Sequence, residues 1–126
     1  MPGCLPTSGG GAAAPAVDLV HLNRFTLGNR ALEREVLAIF ASQMGHYLDR
    51  LKGASDAKAW REAAHTIKGS AWAIGAWTLG EQASAAEKLG VYCPEATREA
   101  LIANIGRAAS EVEAFIANFL DSEQAA

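Results

Sequence analysis

The sequence predicts an all-α fold, an antiparallel up-and-down four-helix bundle with a short extra N-terminal helix. Three observations carry that expectation. Apolar residues recur at three- and four-residue spacing from Leu19 to Phe119, with no strand-like alternation of useful length. Glycines, one proline and capping residues cut this pattern into five segments. The connections between segments are short, as antiparallel neighbours require, and neither a βαβ unit nor a repeat at solenoid spacing occurs.

The elements follow in order. Residues 1–16, with Pro2, Pro6, Pro15 and the run Gly9-Gly10-Gly11, read as a flexible tail that cannot bury enough surface to offset its ordering entropy. The bundle is expected over 17–121. Asp18 caps a short helix through Leu19, Leu22 and Phe25, which Gly28 stops. Asn29 caps a long second helix with Leu32, Val36, Ile39/Phe40, Met44, Tyr47 and Leu51 on one stripe, ending at Gly53. Ser55 or Asp56 caps a third helix, whose stripe is Trp60, Ala64, Ile67, Ala71 and Ile74, with a break or bend at Gly75. A fourth, alanine-rich helix carries Leu79, Ala83, Ala86 and Leu89 and stops at Gly90. Pro94 suits the first turn of a fifth helix with Glu95 on its positive end. Leu101, Ile105, Ala108, Val112, Phe115/Ile116 and Phe119 form the stripe of that helix. Residues 122–126 read as a C-terminal tail.

Composition excludes several functions. Half of the 126 residues are hydrophobic and 20% are charged, which fits one packed domain. The net charge of −3 and singly scattered Lys and Arg give no basic stripe for nucleic acid and no polybasic membrane patch. No run approaches the roughly 18 apolar residues of a membrane span. The N-terminus shows no basic start followed by an apolar stretch, so no secretory leader is expected and the expected location is the cytoplasm. Cys4 and Cys93 read as two unrelated thiols. No Gly-rich nucleotide motif and no Ser/His/Asp or Cys/His nucleophile set appears, so neither ATP-driven kinase nor hydrolase chemistry is supported.

The chemistry concentrates on the third helix. His65 follows Ala64 and so projects roughly 100° from the buried direction. Lys68, Gly69 and Trp72 follow it by three, four and seven residues, which stacks them on the same face. An imidazole titrates near pH 6.5, so much of it is a neutral nucleophile in the cytoplasm. Phosphorylation would put anionic oxygens on a ring nitrogen, and an ammonium one turn away could stabilise them. Glycine one turn on leaves room for a partner to approach, at a cost of about 0.5–1 kcal/mol relative to alanine in a helix interior.

Ala64-His65-Thr66-Ile67-Lys68-Gly69-Ser70-Ala71, then Ile74-Gly75-Ala76 and Leu79, closely resembles the signature of the histidine phosphotransfer (HPt) domain family. That signature is His-x-x-Lys-Gly, a run of small residues and an apolar-Gly-Ala ending. Asp18-Leu19 through Leu27-Gly28-Asn29 to Phe40 extends the likeness, which covers about 17–120. The resemblance implies a four-helix bundle with His65 phosphorylated, Lys68 stabilising the phosphoryl group and Gly69 opening the approach. It implies receiver-domain and hybrid sensor histidine kinase partners in a two-component phosphorelay. The receiver would bring the acid cluster and Mg²⁺, so the chain itself needs no metal or cofactor. A phosphotransfer intermediate acting as a monomer, rather than an autonomous kinase, is the expectation.

Arg61, Trp72 and Glu87 are the candidate binding residues around His65. Glu87 matches the glutamate of the family's Leu-Glu pair, with Ala86 in place of the leucine. It either hydrogen-bonds across to the third helix or stands exposed. Trp72 departs from the small residue common in the family, and serves as a partner anchor or tucks against a neighbouring helix. His21 and His46 read as structural or solvated, and Arg30, Glu33, Arg34 and Glu35 as a solvated helix face. The rival to phosphotransfer is a docking module that binds a kinase or receiver domain without being phosphorylated.

Overall fold

The computed structural model describes residues 15–90 and 93–125, and contains five helices and no strand among them. They are α1 (Leu19–Thr26), α2 (Arg30–Lys52), α3 (Ala57–Ala73), α4 (Trp77–Leu89) and α5 (Glu95–Ala125). The expected tail over 1–16 and Cys4 fall almost wholly outside the described residues. At the other end α5 continues to Ala125, into the stretch 122–126 read as a tail.

Three of the helices begin where a side chain satisfies an orphan N–H group. The Asp18 carboxylate accepts from the backbone N–H of His21, Asn29 from that of Leu32 and Asp56 from that of Ala59. Helix α4 has no side-chain cap, and Ala76 fills the position. Helix α5 starts one residue after Pro94, whose carbonyl accepts from Arg98. The α1–α2 turn becomes left-handed at Leu27 (φ 56°), one residue before the expected Gly28 (φ 78°).

The core is a single cluster. Trp60, Ala64, Ile67, Ala71 and Ile74 are all buried, as their spacing predicts. Leu79, Ala83 and Ala86 from α4 and Ile105, Ala108, Val112 and Ile116 from α5 join them. Helix α3 packs on α2 and α4, α5 on α4 and α2, and α1 on α2. The α3–α4 contact is the most extensive, because Ala64, Ala71, Gly80, Ala83 and Ala86 let the two backbones approach. The Trp60 indole fixes their register by donating to the Ala86 carbonyl at 2.8 Å.

Four expected core positions are exposed instead: Leu19, Phe25, Leu32 and Ile39, and Leu89 joins them at the end of α4. In the first turns of α2 the buried line runs one residue over, through Glu33 and Leu37, and from Phe40 through Met44 to Leu51 it follows the expected stripe. Glu33 is therefore no part of a solvated face; it is 4% exposed. It turns inward because α1 supplies partners: the Thr26 hydroxyl donates to its carboxylate at 2.8 Å and the Asn23 amide at 3.3 Å.

The start of α1 is tied to the α3–α4 turn. Asp18 N–H donates to the Gly75 carbonyl at 2.9 Å, and the Trp77 indole donates to the Asp18 carboxylate at 3.0 Å. The Trp77 bond, and after it the His21 N–H, hold the Asp18 carboxyl below its usual range. His21 completes the corner, its ring edge-on to Trp77 at 4.8 Å. Gly75 has φ +81°, and a Cβ there would lie 2.8 Å from the Asp18 carbonyl oxygen, so this turn requires glycine. No helix among the described residues is long and apolar enough to cross a membrane.

Candidate functional site

The site lies on the middle of α3, where the buried stripe gives way to solvent. The side chain of His65 is 66% exposed, whereas those of Lys68 and Glu87 are only 21% and 20% exposed. Glu87 reaches across from α4 and joins the other two. Its Oε2 lies 3.0 Å from His65 Nδ1 and its Oε1 lies 2.6 Å from Lys68 Nζ. One carboxylate thus bridges an imidazole and an ammonium. Glu87 is carried to this position by its neighbour Ala86, which is buried and whose carbonyl is held by Trp60.

The bridge has electrostatic consequences. The Lys68 ammonium holds the Glu87 carboxyl below its ordinary range, with the His65 bond adding to the effect against partial burial. An ionised carboxylate only accepts hydrogen bonds. The nitrogen facing it, Nδ1, is therefore the donor, and Nε2 of the neutral ring keeps its lone pair. The nitrogen that keeps its lone pair is the one turned away from the bridge, on a largely exposed ring.

Of the two expectations for Trp72, tucking against a neighbouring helix is the one observed. Its indole lies directly over Gly80 of α4, in space that a Cβ there would fill, and it remains 39% exposed. The Lys68 ammonium stands 5.6 Å from the Trp72 ring centroid, within cation–π range. Lys68 is thus held between Glu87 and an aromatic face. Gly69 is open: a Cβ there would meet nothing within 4 Å.

On the other flank a groove of about 530 Å³ runs past His65. Arg61 and Thr66 of α3, Tyr47 and Arg50 of α2, and Glu87 of α4 are among the residues that line it. The structure therefore brings His65, Lys68, Glu87 and Trp72 into one set of contacts and puts Arg61 along the same groove, with Gly69 beside them. Sequence reasoning missed Arg50, Tyr47 as a groove residue, and Gly80. Arg50 and Tyr47 come from another helix and carry no local signal. Gly80 could have been found as the small partner that a half-exposed Trp72 needs.

No curated protein and no solved structure matches the chain. A family does: the Hpt domain, over residues 35–121, which takes in the larger part of α2, all of α3 and α4, and α5 to Asp121. That span covers more than half of the chain and includes every residue of the bridge, and the chain belongs to the Hpt domain family.

Proposed function

We propose that this protein is a phosphotransfer intermediate that carries a phosphoryl group on Nε2 of His65. The observation that carries this reading is the Glu87 bridge, which occupies Nδ1 and leaves the other nitrogen of a largely exposed ring unengaged. Membership of the Hpt domain family ties the chain to histidine phosphotransfer in phosphorelays, and the residues of the bridge are suited to that task.

In the proposed step the Nε2 lone pair attacks the phosphorus of an aspartyl phosphate on a receiver domain, in line with the leaving oxygen. The N–P bond forms as the P–O bond breaks, and the electron pair returns to the aspartate as carboxylate. The ring gains positive charge, which its Nδ1–H shares with Glu87. Lys68, one turn from the ring, supplies a cation for the phosphoryl oxygens, and the open face at Gly69 admits the receiver. The reverse step hands the group to another receiver. The donor side is a hybrid sensor kinase or its receiver, and any Mg²⁺ belongs to the receiver. The chain works as a cytoplasmic monomer in this reading. Helices α2–α5 form an antiparallel up-and-down bundle with α1 as the extra helix, a topology supported by each packing on its neighbours in sequence and α5 returning to α2.

The test is transfer from radiolabelled phospho-receiver domains of the same cell. Acid-labile, alkali-stable label that disappears in His65→Gln is the expected result. Tight binding to a receiver or kinase with no label would replace phosphotransfer by a docking function.

A further inference from the structure

The groove beside His65 contains two carboxylates and two arginines, and their charges are not evenly matched. Each carboxylate has a lysine: Glu62 pairs with Lys58 at 4.0 Å, and Glu87 with Lys68 at 2.6 Å. Arg61 and Arg50 have no ion-pair or hydrogen-bond partner among the described residues. Two guanidinium charges thus stand uncompensated along the groove that His65 borders.

We propose that Arg61, backed by Arg50, binds the oxygens of the phosphoryl group on His65; this rests on the phosphotransfer reading above. Lys68 alone is a divided cation, already matched by Glu87 and covered by Trp72. Nδ1 is engaged by Glu87, so the group is borne on Nε2, away from the carboxylate. A helical side chain leans over the turn N-terminal to its own Cα, so the His65 ring covers the turn that carries Arg61, four residues earlier on the same face. A phosphoryl group brings a charge of about −1.5 to −2, close to what two guanidinium groups offset. The planar guanidinium fork also matches phosphate oxygens in pairs, as an ammonium does not. The chain would then hold the group on the Arg61 side while Glu87 keeps Lys68 and the ring in place.

The test needs no partner protein. Potassium phosphoramidate phosphorylates imidazole directly: the His65 Nε2–P bond forms, the P–N bond of the reagent breaks, and ammonia leaves. The rate of His65 phosphorylation in the full chain, read by ³¹P NMR with His65→Gln as the blank, is compared across variants and salt concentrations. Arg61→Gln is expected to slow the reaction roughly tenfold and to flatten its decline with ionic strength. Arg61→Lys, which restores the charge without the fork, should recover part of the rate, and Arg50→Gln should give a smaller loss in the same direction. A rate in Arg61→Gln equal to that of the unmodified chain overturns the proposal and moves Arg61 to contact with a partner. Equal slowing in Arg61→Lys and Arg61→Gln, with salt dependence unchanged, overturns it in favour of a structural role. No phosphorylation of His65 in the unmodified chain overturns the phosphotransfer reading itself.

Discussion

A single carboxylate shared by an imidazole and an ammonium ties ring orientation, tautomer and lysine position to one side chain. Glu87→Gln keeps the shape and removes the charge, so Nδ1 and Lys68 lose the group that holds them. Transfer through His65 is expected to slow about tenfold, the scale of one charge-assisted hydrogen bond, measured against the unmodified chain with the same receiver. The pairing also has a pH signature. Glu87 titrates lower in the folded chain than its ordinary value, chiefly through the Lys68 bond. Its contribution to stability is therefore complete above that value and is lost as pH falls through the lower folded one. Urea denaturation should show a stability gap between the unmodified chain and Glu87→Gln near pH 6 that closes towards pH 3. At this scale the sequence was legible where partners sit on one helix: His65, Lys68, Gly69 and Trp72 follow from α3 alone. Glu33 did not, because its partners Asn23 and Thr26 lie across a turn, outside any helical spacing.

Among the helices, α3 combines an inner face that is densely packed with an outer face left bare at Gly69. Glycine in a helix interior is costly, and the open space above Gly69 means packing does not require it. Gly69→Ala is expected to stabilise the fold by about 0.5–1 kcal/mol and to impair transfer from a receiver by crowding the approach to His65. Gly106→Ala in α5, equally open, should give a similar gain with transfer unchanged. Thermal denaturation and the transfer assay on both variants check this. Helix positions and caps were legible, since Asp18, Asn29 and Asp56 cap as their chemistry dictates. The facing of α1 and of the start of α2 was legible only in part, since Leu22, Phe40, Met44 and Leu51 are buried as expected. The apolar residues Leu19, Phe25, Leu32 and Ile39 match a helical period yet stand outward, because period fixes a stripe's spacing and only the neighbour decides which stripe is covered.

Across the whole molecule, the closed order of contacts from α2 through α5 puts the site midway along α3, with α1 latched to the α3–α4 turn through Asp18, Gly75 and Trp77. Fold class was legible because every segment shares one period. The groove was not, since Tyr47 and Arg50 reach it only through the packing of α2 on α3. The same architecture sets the three tryptophans at separate stations: Trp60 fully buried, Trp72 beside the Lys68 ammonium, and Trp77 at the α1 latch. The chain therefore carries its own optical probes. Loading His65 with a phosphoryl group changes the electric field along α3, which carries Trp60 and Trp72 on either side of it. Fluorescence emission should shift on phosphorylation, and comparing Trp60→Phe with Trp72→Phe shows which indole reports it. Occupancy of the histidine would then be readable in real time, in unlabelled protein, by light alone.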